Sequence, residues 1–244
     1  MREQPEQQAP PVQRLRIRYA KRGRLRFTSH RDFSRAFERA LVRARVPMAY
    51  SSGFNPHPRI SYAGAAPTGA ASEAEYLEIG LAETVDPEQI AADLDEALPV
   101  GLDVLEVVEA VPGGLADLLE ASRWRIDLSG EPADAVGAAV QAFLGEASVT
   151  VERMTKKGLR SFDSREAVLG LEVTPYDDAG DPGGARLELL LRHTVPAVRP
   201  DDVLTGLRRV SGLPFAGPAL VTRLEQGPYD AGSGAIGDPL AVSR

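Results

Sequence analysis

A chain of 244 residues has room for one large domain or two domains of about 100 residues each, and either size can bury a working core. Hydrophobic residues at 43% and charged residues at 26% are ordinary for a globular protein, and no apolar run approaches the roughly 20 residues that span a bilayer. The absence of cysteine excludes disulfides, thiolate nucleophiles, cysteine-ligated zinc and iron–sulfur clusters.

The three histidines, His30, His57 and His193, lack the i,i+4 spacing of a helical zinc site, so neither a metal nor another cofactor is expected. The opening MREQPEQQAPPVQ has no apolar stretch after its charges, unlike a secretory signal; the protein is expected in the cytoplasm, away from membranes. Its net charge of −7 conceals a segregation along the chain. Residues 14–59 hold thirteen basic and two acidic residues, a net of +11, whereas residues 60–121 hold fourteen acidic residues and no Lys or Arg. Either the two blocks neutralise one another across the fold, or the basic block presents a positive face to a polyanion while the acidic block maintains solubility.

In chain order, residues 1–12 are rich in Gln and Pro and are expected to be a disordered arm. The run from Arg14 to Tyr19 alternates strictly, placing Leu15, Ile17 and Tyr19 on one face of a strand and arginines on the other. Ser29 with Asp32 three residues on resembles a capping box and opens a helix over about His30 to Arg45. Its apolar positions Phe33, Ala36, Phe37, Ala40, Leu41 and Ala44 follow the helical period, and Arg31, Arg35, Arg39 and Arg43 recur every four residues along a flank. A short strand is expected near Met48 to Ser51, then a Pro-His-Pro loop, then a strand at Glu75 to Leu81. Asp86-Pro87 gives a cap and a first-turn proline for a helix to about Leu98, followed by a strand at Leu102 to Glu109. The second half repeats the pattern: a strand at 123–128, a helix at 133–144, strands near 148–154, 168–174 and 186–192, a helix opened by Pro200, and a strand at 220–224. The βαββαβ order predicts an α+β protein of two tandem ferredoxin-like domains, residues 13–110 and 122–225, with a disordered tail over 226–244.

Several stretches carry residues suited to binding. On a sheet whose other face meets the helices, Arg16 and Arg18 would project as a guanidinium row, or be offset across the sheet by carboxylates such as Glu78. FTSHRDF at 27–33 sets His30 and Arg31 at a helix N-terminus, where backbone amides favour an anion; a plain capping segment with an exposed histidine is the alternative. In SSGFNPHPRI at 51–60 the prolines stiffen a loop bearing Phe54, Asn55, His57 and Arg59. Near 156–165, Lys156, Lys157, Arg160 and Arg165 surround Phe162, which suits phosphate contacts with a stacking ring, or simply a charged hairpin tip. No nucleophile elbow or Walker loop is present.

The runs LRFTSHRDFSRAFERAL, AYSSGFNPHPRISYA, ASEAEYLEIGL and KKGLRSFDSR, in that order, resemble the radical-SAM-linked protein family, a domain of unknown function found fused to, or beside, a radical-SAM enzyme. The resemblance implies a radical-SAM protein as a partner, and since this chain has no cysteine, any cluster chemistry belongs to that partner. In architecture the expected tandem is similar to CRISPR repeat-RNA endonucleases, a likeness that establishes no activity. Three readings follow: an RNA-binding accessory module for tRNA or rRNA with no chemistry of its own; an adaptor of a radical-SAM enzyme; and a metal-independent RNA endonuclease or modification enzyme with His30 or His57 as general base. The first best uses Arg16, Arg18, His30, Arg31, Arg35, Phe54, Asn55, His57, Arg59, Lys156, Lys157, Arg160, Phe162 and Arg165 as nucleic-acid contacts.

Overall fold

A computed structural model describes residues 7–155, 158–178, 181–215, 217 and 219–241. The fold is mixed α/β, with four α-helices and predominantly antiparallel strands among the described residues. It divides into two units, residues 1–119 with 237–244, and residues 120–236.

The first unit runs β1 (Gln13–Lys21), α1 (His30–Arg43), β2 (Ile60–Ala63), β3 (Ala71–Leu81), α2 (Pro87–Ala97) and β4 (Val104–Glu109). Its strands lie in the order β4–β1–β3–β2, each pair antiparallel. Leu15, Ile17 and Tyr19 of β1 and Leu77, Ile79 and Leu81 of β3 share one core with Phe33, Phe37 and Leu41 of α1 and Ile90 and Leu94 of α2. Burying each such side chain contributes about 1.5–3 kcal/mol, which is why the alternating strand and the 3.6-period helix find one another. The Ser29 hydroxyl caps α1, accepting from the Asp32 N–H at 3.2 Å and donating to the Asp32 carboxylate at 2.6 Å. The helix stops at Arg43, and Arg45 sits at a left-handed φ of 54°. Asp86 caps α2 by accepting from Glu88 N–H at 3.0 Å, with Pro87 in the first turn.

The reverse face of this sheet is not open, contrary to the expectation. Beyond β4 the chain folds back as a short 3-10 turn, Leu115–Leu118, and Leu115, Leu119 and Leu240 pack with Ala63, Ala74 and Tyr76 in a second cluster. The expected strand at Met48 to Ser51 is reduced to isolated bridges, Met48 with Leu81 and Tyr50 with Pro58. The chain reverses after Tyr50, and Pro56 and Pro58 have no N–H with which to extend a ladder. Nor is all of the N-terminal arm detached: Val12 N–H bonds Leu81 O at 2.9 Å, and Pro11 lies against Gly80.

The second unit runs β5 (Ala121–Leu128), α3 (Ala133–Gly145), β6 (Thr150–Thr155), β7 (Gly158–Asp163), β8 (Val168–Asp178), β9 (Asp181–Arg192), α4 (Pro200–Ser211), β10 (Ala219–Gly227), β11 (Tyr229–Asp230) and β12 (Ala235–Ile236). Its sheet order is β10–β5–β9–β8, again antiparallel throughout. β6 and β7 form a separate two-stranded hairpin, so the strand expected near 148–154 is one arm of an excursion rather than a member of the sheet. The segment from Gln226, expected to be a disordered tail, instead completes β10 and forms the β11–β12 pair; Gln226 is buried. No helix among the described residues is long and apolar enough to cross a membrane.

Candidate nucleic-acid interface

The arginines of β1 and α1 form two populations. Those on β1, with Arg22 just after it, pair with the acidic block, whereas Arg24 and Arg26 have no ion pair among the described residues. Arg16 lies directly opposite Glu78 in the β1–β3 register and is fully buried, bonding Glu78 at 3.3 Å and the carbonyls of Val111 at 3.1 Å and Gly113 at 2.7 Å. It therefore leaves the set of candidate contacts, because the returning segment after β4 covers it. Arg18 faces Glu106 across the β1–β4 pair, at 3.4 Å. Arg14 joins Glu78, and Arg22 is clasped by Glu73 and Asp103. The Glu73 hydrogen bond is the main cause that raises the Arg22 guanidinium above its ordinary range; burial opposes it and Asp103 reinforces it.

The second population lies on α1. Arg31, Arg35 and Arg39 are exposed at four-residue spacing, and none has a carboxylate at ion-pair distance among the described residues. Arg43, one turn further, donates to Ala97 O at 2.9 Å. His30 is exposed at the head of this flank, with its ring edge-on to Tyr62 at 4.8 Å. Burial pushes the Tyr62 phenol above its ordinary range, with Ser34 pulling the other way and the Glu38 charge adding to the rise.

The 51–60 loop is a closed turn. Ser51 N–H donates to His57 O at 2.9 Å, and His57 N–H returns to Ser51 Oγ at 3.0 Å. Arg59 ties the base through its N–H to Ala49 O at 2.8 Å and its Nε to Tyr50 O at 3.1 Å. Gly53 takes φ 127° at the tip, a conformation that disfavours any side chain. The clasp leaves Phe54, Asn55 and His57 exposed, the Phe54 ring at 68%. The Arg59 side chain is thus partly spent on the loop itself.

Between α1 and this loop lies a cavity of about 200 Å³ lined by Glu38, Leu41, Val42, Val46, Met48, Tyr50 and Pro58. Glu38 and Val42 also line an adjoining concavity with Arg35, Arg39 and Arg43. The arginine flank and the loop base therefore line two adjoining concavities that meet at Glu38 and Val42. Glu38, Val42 and Tyr50 are absent from the residues expected from sequence, although two left a signal. Val42 is the apolar residue of α1 that departs from its core-facing stripe, and it is 75% exposed. Glu38 is, with Asp32, one of two carboxylates among the arginines of α1.

In the second unit the candidate set shrinks. Arg165 is turned inward, its guanidinium donating to Val168 O at 3.1 Å and Leu144 O at 3.4 Å at the end of α3. Phe162 is covered by Arg153, whose guanidinium lies 4.9 Å from the ring centroid and reaches Asp202 of α4. Neither is placed to meet a base or phosphate. Asp163 accepts from Val149 N–H at 2.9 Å and Arg165 N–H at 2.8 Å. Burial alone would raise its carboxyl, but these backbone donors outweigh it and hold the group below the usual range. Arg160 is exposed on β7, while Lys156 and Lys157 lie outside the described residues. No group of three or more His, Asp or Glu side chains among the described residues is placed to hold a metal ion.

The features above define a protein of two α/β units whose first unit carries an arginine-lined helix flank beside a clasped loop. The chain belongs to the family described as an uncharacterized protein conserved in bacteria (DUF2344), whose profile matches residues 14–200. That description names no radical-SAM enzyme. No curated protein matches the chain. Among solved structures, a chain of the crystal structure of a Cbf5-Nop10-Gar1 complex is similar at 11% identity and a TM-score of 0.44, over 94% of this chain and 56% of that one. This chain thus spans little more than half the length of that neighbour, and a likeness so distant carries no argument about function.

Proposed function

We propose that the protein is an RNA-binding accessory module for tRNA or rRNA, with no chemistry of its own, that presents RNA to a radical-SAM or RNA-processing partner. Its scaffold is read as two ferredoxin-like units. The order β1–α1–β2–β3–α2–β4 recurs as β5–α3–β8–β9–α4–β10 with the β6–β7 hairpin inserted, and the sheet orders correspond strand for strand. The observation that carries the binding reading is the exposed flank of Arg31, Arg35 and Arg39, left without carboxylate partners among the described residues while the strand arginines of the same block are paired. A guanidinium row at helical spacing suits consecutive phosphates. The clasped loop beside it holds Phe54 and Asn55 outward with little conformational entropy left to lose on binding. A nuclease reading has less support: the His30 ring leans on Tyr62, and among the described residues no carboxylate is bonded to it to orient it as a base.

The test is filter binding of the purified protein to bulk tRNA and to rRNA fragments over a salt series. Affinity falls steeply from about 50 to 200 mM salt as phosphate contacts are screened and counterions cease to be released. A flat salt dependence, or capture of a protein partner that persists after nuclease with no RNA retained, overturns the reading.

A further inference from the structure

The cavity between α1 and the clasped loop is apolar along Val42, Met48, Tyr50 and Pro58, yet it has one carboxylate in its wall, Glu38. Glu38 has no ion pair or hydrogen bond among the described residues, even though Arg35 and Arg39 share its neighbouring concavity. An ionised carboxylate offers two acceptors and no donor. Of the four RNA bases, guanine alone presents two adjacent donors, N1–H and the N2 amine, on its Watson–Crick edge. Adenine, cytosine and uracil each set an acceptor beside their donor, which a carboxylate repels. A volume of about 200 Å³ is six to seven water volumes at about 30 Å³ each, suited to one unpaired base, and Tyr50 supplies a ring on which a base can lie.

We propose that this cavity seats a single unpaired guanine of an RNA strand, its Watson–Crick edge on the Glu38 carboxylate and its flanking phosphates toward Arg35 and Arg39. This rests on the RNA-binding reading and adds base selectivity to it: the arginines draw any strand, and Glu38 chooses the nucleotide.

Short labelled oligouridylates carrying one central G, A, C or U are titrated by fluorescence anisotropy against the full chain and its Glu38→Gln variant. The guanine strand binds the native protein on the order of tenfold tighter than the others, as a bidentate base contact gives. Glu38→Gln loses that preference and binds the all-uridine strand at least as tightly as the native protein, since a charge that repels phosphates has gone. Salt-sensitive binding that is equal for all four strands, or a guanine preference that survives Glu38→Gln, overturns the proposal and leaves the RNA-binding reading standing. Binding to none of the strands overturns both. Competition by GMP at the same concentration as the guanine strand assigns the cavity to a free nucleotide instead, and overturns the assignment to RNA.

Discussion

Replacing Arg31, Arg35 and Arg39 together by glutamine separates an RNA-binding flank from a merely solvated one. All three side chains are exposed and lack carboxylate partners among the described residues, and glutamine matches arginine in helix propensity, so stability changes by less than about 0.5 kcal/mol. Each phosphate contact to a single strand adds about 0.7 to the slope of log affinity against log salt. Three contacts give a slope loss of about 2, and a fourfold rise from about 50 to 200 mM salt then weakens native binding roughly twentyfold more than it weakens the variant. Filter binding over the salt series reads this directly. Arg22→Gln is the control: Arg22 is equally cationic but held by Glu73 and Asp103, so the slope moves by less than one contact. A triple variant with the native slope refutes the reasoning, as does an Arg22 variant that loses as much.

Phe54→Ala lowers affinity for single-stranded RNA by about 1–3 kcal/mol, the range for one stacked base, and leaves the melting temperature unchanged because the ring is 68% exposed; a stability loss without an affinity loss would place the ring in the packing of the loop. Arg16→Met destabilises the chain by about 1–3 kcal/mol in urea unfolding, since it leaves the Val111 and Gly113 carbonyls unbonded and Glu78 with Arg14 alone, without altering the salt slope. Asp163→Asn costs stability at neutral pH, and the gap to the native protein closes on acidification. The folded carboxyl titrates below its unfolded value, so its contribution is present above about pH 4 and is lost as pH falls through the folded value; pH-dependent unfolding shows convergence at low pH or contradicts the account. Gly206→Ala destabilises by about 1–2 kcal/mol despite a helix-propensity gain of about 1 kcal/mol, because the new methyl would stand 2.8 Å from both the buried Phe143 ring and Ser164 Oγ.

The helices and most strands are legible because their signals are local. Ser29 with Asp32, Asp86-Pro87 and the alternation of Leu15, Ile17 and Tyr19 each act within a turn or a strand, and the caps and core faces follow. The misreadings share a different cause. The burial of Arg16 depends on a segment almost 100 residues away, Val111 to Gly113, and no periodicity in β1 announces it. Arg165 and Phe162 have the composition of a phosphate site, but side-chain orientation, which composition does not set, turns Arg165 onto the Val168 and Leu144 carbonyls and lays Arg153 of the facing hairpin strand over Phe162. The run from Gln226 reads as a tail because Gly, Ser and Ala dominate it, yet cross-strand pairing of Tyr229 with Ile236 orders it. The cavity at Glu38 was hidden for the same reason, since its walls come from a helix and a loop that sequence places side by side but does not orient.

Part of the basic block is paired with the acidic block and part is left unpaired, and sheet register decides which arginines are paired. Cross-strand neighbours on β1, β3 and β4 sit about 5 Å apart, so Glu78 and Glu106 meet Arg16 and Arg18 by construction, and Glu73 and Asp103 at the strand ends reach Arg22. A helix flank has no such register. On α1 the acidic residues of α2 come near only at the C-terminal end, where Asp93 and Glu96 share a depression with Arg43 and Arg45. Opposition from α2 therefore falls from Arg43 back toward Arg31, where the helix dipole adds positive potential and the nearby carboxylates are the helix's own Asp32 and Glu38. On the proposed reading, a strand drawn by that gradient would cross Arg39, Arg35 and Arg31 beside the mouth of the Glu38 cavity. Reversing one charge at the start of α1 and one just past its end measures it: Arg31→Glu weakens RNA binding more than Arg45→Glu, and equal losses would mean that the field is uniform along this stretch.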